Sequence, residues 1–232
     1  YEDGLFKMWY GGGGGSKPCD WAYAVSKDGS HFEKKGHFSD LGGVEDCHVV
    51  HDIDTGLYYM YYWDREYEPM GLFLAISKNE TDFDFENAKN LKIENEKYPE
   101  MYKFTHVLKD ENGWHMFYAD FQRPHCPDSF TRYATSTDGI NWISRNKNLL
   151  EGHDAEVLKL TDDLYLMYYG PRNHFDAKDC DIRLAIYNGR LCDLIVSAPA
   201  MQWHKGHGTD NGDHVHYGLQ TSDGGYIMAG QT

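Results

Sequence analysis

Basic side chains, cysteines and long apolar runs are all scarce in this chain of 232 residues. Lysine and arginine number 22 against 37 acidic residues, a formal charge of −15, so the balance argues against binding a nucleic-acid backbone. No stretch of about 18 uninterrupted apolar residues occurs, which argues against a spanning helix and a membrane partner. The five cysteines (Cys19, Cys47, Cys126, Cys180, Cys192) form no CxxC pair, and their odd number leaves at least one outside any intrachain disulfide. Cys180 with Cys192 is one candidate bridge; unpaired thiols are the equal alternative. The sequence starts at Tyr1 with neither initiator Met nor apolar leader, so a natural start upstream is expected, and export is neither read nor excluded.

Aromatic residues are abundant, with 18 Tyr, 11 Phe and 6 Trp. They supply core material for one large domain or two small ones without a disulfide or structural metal. Their placement is periodic. Gly-Leu-Phe-Lys-Met-Trp-Tyr at 4–10 returns as Gly-Leu-Tyr-Tyr-Met-Tyr-Tyr at 56–62, Gly-Trp-His-Met-Phe-Tyr at 113–118, Leu-Tyr-Leu-Met-Tyr-Tyr at 164–169, and Gly-Tyr-Ile-Met-Ala-Gly at 225–230. The leading residues Leu5, Leu57, Trp114, Leu164 and Tyr226 lie 52, 57, 50 and 62 residues apart, the length of one four-stranded propeller blade plus loops.

A second strand type follows at 21–32, 72–83 and 132–142, with a fourth copy at 182–189. Several copies close in Asp-Gly or Asn-Gly, the chemistry of tight reversals. Phe32, Phe83 and Trp142 recur at one place in this unit and are expected to fill the core between adjacent blades. A third type precedes the first, at Cys47 to Ile53, Thr105 to Lys109, Ala155 to Leu160 and His216 to Thr221. Each blade therefore reads A, B, C, D, starting at strand B of the first and stopping at strand B of the fifth. The expected fold is all-β, one propeller domain over 1–232 with five visible repeats and incomplete terminal blades. A larger propeller, or a second chain or missing segment closing the ring, follows from the unmatched ends. A two-sheet sandwich is the alternative. The glycine run 11–15 is expected in a mobile loop between strands, given its ordering entropy.

In a propeller the heads of the inner strands converge on the axis. Aligning the repeats sets Asp46-Cys47-His48-Val49 beside Phe104-Thr105-His106-Val107 and Asp154-Ala155-Glu156-Val157, with His214 and His216 in the last blade. A period of two places Asp46 with His48, and Asp154 with Glu156, on one face of each strand. Glycoside hydrolysis needs one carboxyl protonated and another ionised, and Asp46 with Glu156 is the first pair, with Asp154 orienting the sugar or tuning the acid. His48, His106 and His216 are substrate-binding candidates, with channel lining as the bland alternative. Arg123, His125, Arg172 and His174, in loops after strand B, could meet a carboxylate, a sulfate or hydroxyls, or form surface ion pairs. Trp63 is expected as an exposed ring able to stack on a sugar. No cofactor is required by this chemistry. A calcium or other divalent cation held by His48, His106, Asp154 and His216 in the axial channel stays open, without a local ligand-spacing motif behind it.

The segments at 4–10, 21–32, 56–62 and 133–142, with their hydrophobic-Met-Tyr-Tyr and Ala-x-Ser-x-Asp-Gly patterns, resemble the blade signature of the five-bladed glycoside hydrolase superfamily of arabinan, xylan and fructan hydrolases, over roughly residues 1–190. The resemblance implies an acidic base in the first blade, a pKa-modulating Asp in the second and a Glu acid in the third. Matching the second repeat to the family's first blade makes Asp46 the base and Glu156 the acid, with Phe104 where the modulator belongs and Asp154 as its substitute. The other register makes Asp46 the modulator, places the base before Tyr1 and leaves Glu100 as the nearby acid. The first register keeps more chemistry.

Residues 203–232, with Asp-Gly-Gly-Tyr-Ile at 223–227, resemble a different repeat of secreted bacterial propellers. That resemblance, and a large external substrate, imply an extracellular or periplasmic location. It also resembles strands of propeller lyases acting on acidic algal polysaccharides, which would recruit His48, His106, His214 or His216 as proton acceptor with a Tyr acid. The expected function is hydrolysis of a plant or algal polysaccharide or oligosaccharide; elimination and noncatalytic glycan binding are the alternatives.

Overall fold

A computed structural model describes residues 1–12, 20–39, 44–64, 70–96, 102–121, 129–170, 182–194, 214–220 and 226–231. Apart from one short 3-10 helix at Leu191–Asp193, its regular elements are β-strands, so the fold is all-β. No helix among these residues is long and apolar enough to cross a membrane. The chain forms two compact units, Tyr1–Leu91 and Lys92–Thr232.

The first unit holds two antiparallel meanders. One sheet runs β1 (Phe6–Gly12), β2 (Asp20–Ser26), β3 (Glu33–Ser39). The other runs β4 (Val44–Asp52), β5 (Leu57–Asp64), β6 (Gly71–Ser77), β7 (Lys89–Asn90). The aromatic strand β5 is second in its four-stranded sheet, as an A-to-D blade requires, while β1 is first in its three-stranded sheet, as expected of a blade that starts at strand B. Trp9, Trp21, Tyr23 and Val25 of one sheet pack with Tyr58, Met60, Tyr62 and Phe73 of the other, together with Phe83. Phe83 thus has the core role expected of it, and Phe32 at the matching place is half-buried. Gly11 and Gly12 lie inside β1, opposite Trp21 and Asp20, and not in a loop. A Cβ on Gly11 would stand 3.4 Å from the Trp21 ring, an ordinary van der Waals contact. Gly13 to Gly15 lie outside the described residues.

The second unit opens with β8 (Ile93–Glu94), which joins a meander in the order β8-β12-β11-β10-β9. The longer strands are β9 (Tyr102–Asp110), β10 (Gly113–Phe121), β11 (Ser129–Ser136) and β12 (Trp142–Glu151). A three-stranded sheet follows: β13 (Glu156–Thr161), β14 (Leu164–Tyr169), β15 (Arg183–Asn188). The hairpin β16 (His214–Gln220) and β17 (Tyr226–Gln231) ends the order. Strand β14 alternates as its sequence dictates: Tyr165, Met167 and Tyr169 are buried, and they meet Phe117 and Tyr133 from the neighbouring sheet with Leu191 and Leu194. Trp142, buried like Phe83, donates its indole N–H to the Gly139 carbonyl.

The Ser-x-Asp-Gly reversals repeat atom for atom. Asp28 Oδ1 accepts the amides of Ser30 and His31, and Asp138 Oδ1 those of Ile140 and Asn141. Ser26 and Ser136 hydroxyls accept the amides of Gly29 and Gly139. Both glycines adopt left-handed φ values of 74° and 73°, open to glycine without steric cost. The third copy replaces Asp-Gly by Asn79-Glu80, and Asn79 Oδ1 takes the two amides in the same way.

Glu96 closes the entry to the second unit. Its carboxylate accepts hydrogen bonds from Ser144 Oγ (2.5 Å), Tyr118 (2.6 Å), Arg132 (2.6 Å) and Tyr102 (3.2 Å), with its side chain 5% exposed. One carboxylate thereby bonds to side chains of four strands. Among the described residues Cys47 and Cys192 are free thiols, and Cys180, the expected partner of Cys192, lies outside them.

Candidate functional site

The expected site lay at the heads of strands β4, β9, β13 and β16. At the head of β4 the ladder breaks: Glu45 pairs with Trp63 and His48 with Tyr61, leaving Asp46 and Cys47 against Tyr62 alone. This is a β-bulge, and Asp46 takes φ 53° within it. Asp154, its counterpart in the repeat alignment, has φ 53° as well and stands two residues before β13 begins. Left-handed backbone is uncommon for residues other than glycine, though Asp tolerates it better than most, and such conformations gather at functional positions.

That twist corrects the period-two argument. Pleat alternation holds only along a regular strand, and a bulge or a strand start interrupts it. Asp46 with His48, and Asp154 with Glu156, therefore do not share a face by periodicity. Asp154 instead contacts His153, Oδ2 to Nδ1 at 2.9 Å, with both side chains almost fully buried. Gly152 precedes this pair at φ 150°, and a side chain there would stand 2.2 Å from the Gly170 carbonyl oxygen. Glycine at 152 therefore lets the 152–154 segment lie against the end of β14.

Within the second unit, two of the expected residues meet. His106 on β9 and Glu156 on β13 lie on strands of different sheets, with Nδ1 and Oε2 2.8 Å apart. Their side chains are 10% and 13% exposed, enough to be reached and little enough to be largely desolvated. Burial lowers the His106 pKa to about 4, against a backbone hydrogen bond to Val157 that pulls the other way. The imidazole is therefore neutral at pH 7. The pair also presents a nitrogen and a carboxylate oxygen side by side, donor types that a divalent cation takes.

The remaining candidates fare differently. Asp46 and His48 lie on β4 in the first unit, both half-buried. Trp63 is not an exposed loop ring: it sits inside β5, 5% exposed, because both faces of that central strand are covered. His216 lies on β16, whose side chains are outside the description, as are those of His214. Arg123, His125, Arg172 and His174 fall outside the described residues. The sequence reading passed over His153, although it adjoins an aligned Asp, and passed over Glu96, which no motif marks.

No family model matches this chain, and no curated protein matches it. Among solved structures it resembles glycosidases of GH32 and GH43 type. An exo-β-1,3-galactanase from Clostridium thermocellum superposes with a TM-score of 0.70 at 14% identity, covering 99% of this chain and 53% of the other. An endo-1,4-β-xylanase from Bacteroides thetaiotaomicron gives 0.62 at 16%, over 97% and 79%. A GH32 β-fructofuranosidase from Bombyx mori gives 0.63 at 12%, over 96% and 51%. The chain thus spans about half the length of two of these proteins. The likeness shows a shared fold, that of the β-propeller glycosidases, and a shared fold leaves the reaction to be argued from the site.

Proposed function

We propose that the protein is a glycoside hydrolase acting on a plant or algal polysaccharide or oligosaccharide outside the cytoplasm, with Glu156 as proton donor and Asp46 as the ionised carboxylate. The observation that carries this reading is the 2.8 Å contact between Glu156 and a buried, neutral His106. A neutral imidazole has one ring nitrogen able to accept a hydrogen bond, and a partner that accepts through Nδ1 favours the protonated carboxyl a general acid needs. Partial desolvation of Glu156 acts in the same direction. Asp46 is the second carboxylate because it heads the inner strand of its own sheet in a bulge that re-aims the chain. Asp154, tied to His153, is assigned to tuning or sugar orientation. His48 and His216 are the binding residues proposed from the other strand heads, and Arg123, His125, Arg172 and His174 those from the loops.

The neutral imidazole also suits a proton acceptor, so elimination from a uronate-containing polymer is the second reading. Product analysis on a panel of plant and algal polysaccharides separates the two. New reducing ends without unsaturation, lost in Glu156→Gln and in Asp46→Asn while both variants stay folded, support hydrolysis. Unsaturated uronate ends support elimination. Products undiminished in Glu156→Gln would remove Glu156 from the mechanism.

A further inference from the structure

A second group of titratable side chains lies in the second unit, apart from the strand heads. His115 on β10 is enclosed, with its side chain 2% exposed and that of Asp110 fully covered. Its Nε2 stands 2.9 Å from Asp110 Oδ1, and its Nδ1 stands 2.6 Å from the Tyr133 hydroxyl on β11. The same hydroxyl lies 2.9 Å from the carbonyl oxygen of Leu191, the first residue of the 3-10 helix. The Leu191 carbonyl also receives the Leu194 amide at 3.0 Å, closing that turn.

Counting protons along this line decides its states. The three contacts need three hydrogens. Leu191 contributes none, since a carbonyl only accepts, and an ionised Asp110 contributes none. Tyr133 has one, and a neutral His115 has one, so one contact is left without a hydrogen. Asp110 holds its ionised form, since the His115 ring and the Asn112 amide (2.7 Å) outweigh the opposing effect of burial and lower its pKa. The neutral imidazole therefore keeps its N–H on Nε2, toward the charge. Its Nδ1 lone pair then takes the tyrosine hydrogen across the shorter distance, and Leu191 loses that donor. When His115 takes up a second proton, Nδ1 becomes a donor, the tyrosine oxygen becomes its acceptor, and the phenolic hydrogen turns to Leu191.

We propose that Asp110, His115 and Tyr133 form a proton-operated tether, in which protonation of His115 redirects the Tyr133 hydroxyl to the Leu191 carbonyl and fastens the 191–194 turn to the blade. The other ionisable groups acting on this line are Glu111 in the β9–β10 turn, Lys159 on β13, Tyr165 on β14, Arg145 on β12, Tyr187 on β15 and Cys192 in the turn itself. The Tyr165 hydroxyl has Asp110 Oδ2 and the Asp162 carbonyl oxygen as acceptors, each at 3.3 Å, and Lys159 pairs with Glu111 and Asp162, so neither supplies a hydrogen to the three contacts. Burial places the His115 transition below the ordinary histidine range, with Asp110 opposing. The fastened turn carries Leu191 and Leu194, which belong to the same core cluster as Val157, the residue after Glu156.

The test follows the ring nitrogens of His115 by NMR on the full chain from pH 8 downward, with exchange of the Leu194 amide measured in parallel. The expected result is an Nε2–H tautomer at high pH, two protonated nitrogens at low pH, and Leu194 exchange about five-fold slower across the same transition after correction for intrinsic rates. Tyr133→Phe should lower the His115 midpoint and abolish the Leu194 step. An Nδ1–H tautomer at high pH, a ring neutral down to acid unfolding, or a Leu194 step that persists in Tyr133→Phe would overturn the proposal.

Discussion

The backbone at Asp46 allows a test in which side-chain chemistry cancels. Asp46 sits at φ 53° in a bulge opposite Tyr62. Asp46→Ala and Asp46→Gly both delete the carboxylate and whatever it bonds to, so their difference reports the backbone alone. Alanine in left-handed backbone costs about 1–2 kcal/mol, and glycine none. Glycine loses more chain entropy on folding, about 0.5–1 kcal/mol relative to alanine. The glycine variant should therefore be the more stable of the two by roughly 0.5–1 kcal/mol. At Val50, a regular position of the same strand, the order should reverse, with alanine the more stable. Urea unfolding of the four variants, compared at constant m-value, gives both differences. Asp46→Ala equal to or more stable than Asp46→Gly would refute the left-handed bulge and, with it, the argument that this strand head is built for something other than pairing.

Two further outcomes follow from buried groups. Glu96→Gln should cost about 3 kcal/mol, the lower end expected for breaking a buried ion pair, because Arg132 keeps its charge and loses its partner. The added change Arg132→Met should recover part of that loss, and a penalty under about 1 kcal/mol in urea unfolding would show that Glu96 is not the fastening it looks to be. His106 contributes to the acid limb of stability: its pKa is about 4 in the folded protein against 6.5 for the free group, so the unfolded chain binds more protons at this site between those values. Stability must then fall as pH drops from 6.5 toward 4, and His106→Gln should flatten the slope by up to about 1.4 kcal/mol per pH unit. An unchanged slope would mean that His106 is not the buried neutral imidazole described.

The sequence by itself determined the strands. Hydrophobic-Met-Tyr-Tyr at fifty-residue intervals demanded buried aromatic strands, and Ser-x-Asp-Gly demanded reversals, because both rest on local chemistry: side-chain alternation and amides seeking an acceptor. The repeat alignment went further and paired Asp46 with Asp154, which share one φ value. Tertiary structure decided the partners. His106 and Glu156 are fifty residues apart and meet only because two sheets pack, and His115 finds Tyr133 only across a ladder. Trp63 looked like a loop ring because the polar, proline-ended run Arg-Glu-Tyr-Glu-Pro follows at 65–69 in the sequence, yet packing on both faces of β5 buried it. The bulge at Asp46 broke a period that sequence must assume unbroken, since a local pattern carries the spacing of side chains along the chain and not the register between strands.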